Sequence, residues 1–184
     1  MRAKRVVASI IALALLLPVT AAGQIRGYGK WDGRTVDNSS QFALRLLTIH
    51  NRERERTGAV PLAWNSELAR DADGWARNLA ARGMIEHSPQ SSRPGQGENL
   101  FLGTAGAYSL EEMIGAFLSE RSDFHPGVFP EVSRSGHWQM VAHYTQIIWR
   151  GTSEVGCAIA SARGRDILVC RYSPPGNVLG QRVP

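Results

Sequence analysis

Beyond Thr152 the chain carries two β-like runs, "EVGCAIA" and "DILVCRY", separated by "SARGR". They read as an antiparallel hairpin with one cysteine on each strand, Cys157 and Cys170. This hairpin constrains the fold most, because the periodic segments before it are helical, and helices followed by paired strands make an α+β domain. The two cysteines are the only ones in the chain. Flanking a turn, they suggest a disulfide in an oxidising compartment, with two buried thiols as the alternative.

Three helices are expected upstream. Phe42, Leu46 and Ile49 recur at helical spacing, and Gly58 is placed to stop that helix. The charged run "RERER" then reads as its wet face and end. In "VPLAWNSELARDADGWARNLAARG", Leu68, Ala72, Trp75 and Leu79 share a stripe, with Asn65 as N-cap and Gly83 as the stop. A loop rich in Ser, Pro, Gly and Gln runs from about Met84 to Gly97, carries His87 and leads into "GENLF". Its glycines make no phosphate cradle, because no Lys-Ser/Thr follows them. The third helix opens at "SLEE", where Ser109 and Glu112 have capping-box spacing, and continues through Met113, Ala116 and Phe117. Glu120 falls on the same face as that apolar stripe. A carboxylate there either reaches water at the helix end or is buried with polar partners, since burying it unpaired is strongly unfavourable.

The N-terminus reads as a secretory leader: "MRAKR" is a basic region, "VVASIIALALLLPV" an apolar one, and "TAAG" a run of small residues suited to cleavage. The apolar run is shorter than the ~20 residues that span a bilayer, so no permanent membrane anchor is expected. The expected organisation is a signal peptide over residues 1–22, a flexible polar arm over 23–38, and one domain over 39–184. That domain is large enough for a sizeable core. The protein is then secreted, extracellular or periplasmic. Loss of Arg2, Lys4 and Arg5 lowers the basic residues from 21 to 18 against 16 acidic ones, leaving +2 rather than +5. No basic patch interleaved with aromatics remains, so nucleic-acid binding is not expected.

The stretch "VAHYTQIIWRGT" places His143, Tyr144 and Trp149 close together in one apolar run, where a histidine is either a satisfied core residue or a ligand. Here the sequence resembles the CAP superfamily, the secreted cysteine-rich, antigen 5 and pathogenesis-related 1 proteins, also called SCP domains. The resemblance spans about Phe42 to Val178. It rests on His50, Asn51, Arg54, Gly58, Pro61, Leu62, Trp64, Leu68, Ala69, Ala72, Trp75, Ala76 and Leu79, then on "HYTQIIW" and "ILVCRYSPPGNV". Two departures stand out: Ala142 occupies a position where the family usually has glycine, and only one disulfide can form, which suggests a streamlined member. The sequon-like "NSS" at Asn38 has no clear meaning in this setting.

The resemblance implies a three-layer α-β-α sandwich with a small antiparallel sheet between helices. It also implies a central cavity tetrad of His87, Glu98, Glu120 and His143, with Tyr144 and Trp149 packing around it, and it matches Cys157 and Cys170 to a paired position. In such a set the histidines His87 and His143 are the candidate ligands of zinc or another divalent cation, while the carboxylates orient them or a water. The same four groups could also form a metal-free hydrogen-bonded network. The expected function is a non-catalytic binding or defence-type module acting as a monomer. The alternatives are lipid or sterol binding, with a groove elsewhere on the domain, an extracellular protein partner, and a metal-assisted, protease-like hydrolase. No HExxH pair or GxSxG elbow supports the last of these.

Overall fold

Helix α2 shows most directly how this sequence makes its elements. In the computed structural model, which describes residues 40–184, α2 spans Ser66–Arg82. The Asn65 side chain accepts from the backbone N–H groups of Glu67 and Leu68, and Gly83 closes the helix at φ 70, a left-handed conformation that glycine adopts without strain. The expected signal peptide over 1–22, the arm over 23–38 and the "NSS" at Asn38 lie outside the described residues.

In chain order the described elements are α1 (Ser40–Arg56), β1 (Ala63–Trp64), α2, β2 (Gly97–Thr104), α3 (Leu110–Ser119), β3 (Gly127–Val128), α4 (Ala142–Ile148), β4 (Glu154–Ala162), β5 (Arg165–Ser173) and β6 (Arg182–Val183). The capping box of Ser109 and Glu112 opens α3 as its spacing predicts. Gly58, two residues past α1, has φ 67. The charged run "RERER" is not simply a wet face: Arg54 is 0% and Glu53 only 6% exposed. Both have partners in the interior, described below.

The main sheet has the order β1-β4-β5-β2. Its three long strands are antiparallel, and β1 adds a two-residue parallel pairing to β4 at one edge. The hairpin turn is shorter than "SARGR", because the strands run on until only Arg163 and Gly164 remain, both at positive φ, as a type I′ hairpin turn requires. Strand alternation divides the core in two. On one face Leu100, Ala158, Ala160, Ile167 and Val169 meet Ala72, Ala76, Leu79 and Ala80 of α2. On the other, Val155, Cys157, Ile159, Leu168, Cys170 and Tyr172 meet apolar residues of α1, α3 and α4. The result is the three-layer α-β-α sandwich, in which α2 is the one helix of its outer layer among the described residues.

Two local features lock the layers. A Cβ on Gly156 would lie 2.3 Å from the backbone nitrogen of Ala69 and 2.5 Å from the carbonyl of Asn65, so glycine lets the start of α2 seat directly on β4. Cys157 and Cys170 are register partners on β4 and β5. They form a disulfide with Cα atoms 4.1 Å apart, on the face opposite α2. Among the described residues no helix is long and apolar enough to cross a membrane.

Candidate functional site

The site is built around α4, a helix of seven residues, too short to be stable on its own. Groups from other segments hold both of its ends. Glu120 lies just past α3, in a 3-10 turn over Glu120–Ser122. Its Oε2 accepts from the backbone N–H groups of His143 at 2.9 Å and Tyr144 at 3.0 Å, capping the start of α4. Its Oε1 accepts from Nδ1 of the His143 ring at 2.5 Å. Phe117 of α3 stacks on that ring, with centroids 4.7 Å apart and planes at 17°.

At the other end the buried Arg54 donates from Nη1 to the carbonyls of Ile147 at 2.8 Å and Trp149 at 2.9 Å. Its Nη2 donates to Thr152 at 2.8 Å and its Nε to Val60 at 2.7 Å. Burial lowers its pKa to about 10, so it remains a cation at neutral pH, the favourable charge at a helix C-terminus. Asn99 and Asn177 complete the frame. Nδ2 of Asn99 donates to the His143 carbonyl at 3.1 Å and to the Tyr172 hydroxyl at 3.3 Å. Nδ2 of Asn177 donates to the Ala142 carbonyl at 2.9 Å, and its Oδ1 accepts from Thr145 at 2.7 Å. Tyr144 and Trp149 are both buried; the Tyr144 hydroxyl donates to Glu53 at 2.9 Å, which Arg121 also contacts at 3.3 Å.

A second pair stands across the edge strand β2. Nδ1 of His87 donates to Oε1 of Glu98 at 2.7 Å, and Ser88 adds its backbone N–H and its hydroxyl, each at 2.9 Å. The Glu98 side chain is wholly buried and ion-paired to Arg171, with Nη2 and Oε2 3.1 Å apart. Burial by itself would raise the pKa of Glu98. The bond from His87, the charge of Arg171 and the two bonds from Ser88 outweigh it, so the pKa is lowered and the group is a carboxylate. The loop carrying His87 is tied down by Trp75, whose Nε1 donates to the Glu86 carbonyl at 3.1 Å, and by Arg93, which donates to the carbonyls of Ser88 at 3.2 Å and Gln96 at 2.8 Å.

The four residues of interest therefore meet as two His–Glu pairs, one from each side of β2. His87, Glu98 and His143 line a cavity of about 260 Å³ together with Arg93, Trp138 and Asn177. Glu120 is outside that lining and stands behind the His143 ring. The His87 side chain is 57% exposed and that of His143 31%. In both rings Nδ1 donates to a carboxylate, so that in the neutral ring Nε2 is the nitrogen with the lone pair. That is the arrangement in which a carboxylate fixes a histidine for metal ligation. Among the described residues no group of three or more His, Cys, Asp or Glu could hold a metal ion. The groups at the cavity that could ligate a cation are therefore the two imidazoles, and any further positions would be left to water or a ligand. The sequence reading did not single out the supporting residues Arg54, Asn99, Arg171 and Asn177 for roles at the site, although all four stand in its motifs: Arg54 in the first, Asn99 beside Glu98, and Arg171 and Asn177 in "ILVCRYSPPGNV".

The chain belongs to the CAP family, the cysteine-rich secretory protein family, whose sequence profile matches residues 47–172. Among its relatives, the pathogenesis-related protein PR-1 type of Sambucus nigra is 31% identical over 137 residues, 74% of this chain and 78% of that protein. The Golgi-associated plant pathogenesis-related protein 1 of Homo sapiens is 32% identical over 146 residues, 78% of this chain and 89% of its own length. A crystal structure of NaASP2 with Zn2+ shares the fold at a TM-score of 0.64 and 23% identity, covering 84% of this chain and 88% of that one.

Proposed function

We propose that this is a secreted CAP-domain binding protein whose cavity holds a divalent cation, zinc in the first instance, between Nε2 of His87 and Nε2 of His143. The observation that carries this reading is the pairing of each imidazole, through Nδ1, with a carboxylate beside one shared cavity. A bound cation would supply a Lewis-acidic centre for a ligand entering the cavity. The chain's own residues do the rest: Glu98 and Glu120 hold the rings, Phe117 fixes the plane of His143, and Trp138 forms part of the wall. Two relatives support the secreted and metal-binding parts of the reading. Secreted protein RBT4 of Candida albicans is 31% identical over 165 residues, 88% of this chain and 42% of that protein, and NaASP2, which shares the fold, was solved with Zn2+.

The test is calorimetric titration of zinc chloride into the wild type and into His87→Ala, His143→Ala and the double variant at pH 7.5. The wild type binds with modest affinity, as two protein ligands imply, each single variant binds more weakly, and the double variant does not bind. Wild-type affinity in the double variant would remove these residues from the metal site.

A second reading, lipid binding, draws on a groove of about 580 Å³ beside α1 and α3, where Leu44, Ile49 and Leu118 provide apolar walls and Arg45 and Arg52 flank them. A native mass spectrum of the purified protein would show a copurified lipid adduct. Its absence, together with no uptake of added fatty acid or sterol, would rule this reading out.

A further inference from the structure

We propose that Arg171 is a positioning residue for the cavity: it keeps Glu98 in place as a buried carboxylate and thereby fixes the ring and tautomer of His87. This rests on the metal reading above, but the first of its tests does not need the metal. Glu98 on β2 and Arg171 on β5 are register partners, and Gly156 on β4 is the next position across the sheet. Directly opposed residues of an antiparallel pair project from the same face, here the face that Gly156 opens to α2. The two charges are thus held side by side under a helix, with the Arg171 side chain 4% exposed and that of Glu98 0%.

A carboxylate in such a place requires a counter-charge. His87 does not supply it, because an imidazole that ligates through Nε2 while donating from Nδ1 is neutral. Arg93 is a weaker candidate, with its Nε 3.9 Å from Glu98 and its guanidinium bonded to two carbonyls of its own loop. Arg171 is nearer, at 3.1 Å, and is used differently from the other buried arginine. Arg54 spends its donors on four backbone carbonyls, whereas Nε and Nη1 of Arg171 find no hydrogen-bond partner among the described residues. Its contact with Glu98 is one of charge with charge, and its effect passes through Glu98 to the imidazole. Without it the carboxylate is left buried beside a neutral ring, and the bond that orders His87 is no longer held.

The tautomer of His87 reads this directly. In metal-free protein with ¹⁵N-labelled histidine at pH 8, wild type and Arg171→Lys show His87 predominantly as the Nδ1–H form, which free histidine disfavours. Arg171→Met shifts His87 towards the free-histidine mixture, while His143, held by Glu120, keeps its Nδ1–H signature and reports that the fold is intact. If Arg171→Met does not fold, Arg171→Gln removes the charge with less loss of polarity and gives the same readout. Titration with zinc chloride then shows affinity about 10- to 100-fold weaker in the uncharged variant, the range expected for loss of a group that orients a ligand, and largely restored in Arg171→Lys. An unchanged His87 tautomer in the uncharged variant would overturn the proposal. Absence of zinc binding by the wild type would overturn the metal reading instead, and the tautomer comparison would still decide the role of Arg171.

Discussion

His50 gives the clearest link between a buried group and a measurable stability. It is 0% exposed. Its Nδ1 lies 2.9 Å from the carbonyl of Leu46 and its Nε2 2.9 Å from the hydroxyl of Tyr172. A carbonyl can only accept, so Nδ1 donates, Nε2 accepts from Tyr172, and the ring is neutral. Burial, with a smaller contribution from the charge of Arg54, lowers its pKa from 6.5 to about 4 against the opposing effect of the Leu46 carbonyl. In the unfolded chain the same ring takes up a proton near its ordinary value. Between these two pH values the unfolded state binds more protons, so stability falls as pH falls. The contribution is fully present above about 6.5 and lost as pH drops to about 4. At ~1.36 kcal/mol per pH unit, that interval corresponds to about 3 kcal/mol. His50→Gln isolates it, because the amide nitrogen can donate to Leu46 and the amide oxygen can accept from Tyr172 without titrating. Urea unfolding of the oxidised protein at intervals from pH 7.5 to 4 should show wild type losing about 3 kcal/mol more than the variant over that range. Parallel stability curves would refute the reasoning, because they would mean that His50 takes up its proton equally in both states.

Two further outcomes follow from the frame. Arg54→Met leaves the carbonyls of Val60, Ile147, Trp149 and Thr152 without their donors; at roughly 1 kcal/mol or more for each of the four, urea unfolding should show a loss of at least about 4 kcal/mol. Paired replacement of Cys157 and Cys170 by serine opens a link across 13 residues of sequence and should cost about 3 kcal/mol in the same assay, whereas wild-type stability in the doubly substituted chain would contradict a structural role for the bridge.

The parts of this fold that were legible in the sequence are those whose signals are local. Asn65 and Gly83 bound α2, and Ser109 with Glu112 opens α3, because caps act within a turn of the residues they satisfy. Strand β2 was not legible as a strand, since "GENLFLGT" opens on a glycine and two polar residues. Its pairing is fixed by β5, which lies far along the chain. Gly97 is part of the reason: a Cβ there would lie 2.1 Å from Oε1 of Gln146, so its place is set by the approach of α4. Helix α4 was hidden for a similar reason, as the groups that hold its ends, Glu120 and Arg54, come from distant segments. Arg54 was misread because a run of alternating charges looks solvated, while one turn of helix carries Arg52 and Glu55 to the surface side and Glu53 and Arg54 to the buried side. Periodicity shows which side a residue takes only when the apolar stripe is continuous enough to mark it.

The two halves of the candidate site differ in what their carboxylates are for. Glu120 has two duties: one oxygen orients the His143 ring and the other caps the helix from which that ring projects. A change at Glu120 therefore disturbs the ring and its support together, so under the proposed metal binding a loss of affinity would bring a loss of stability with it. On the other side, His87 projects from a loop, and its carboxylate is supported by Arg171 and Ser88. No helix end depends on Glu98, so the direction of His87 can change while α4 keeps its place. Under the proposed metal binding, stability and affinity would consequently be coupled in the His143 half and separable in the His87 half.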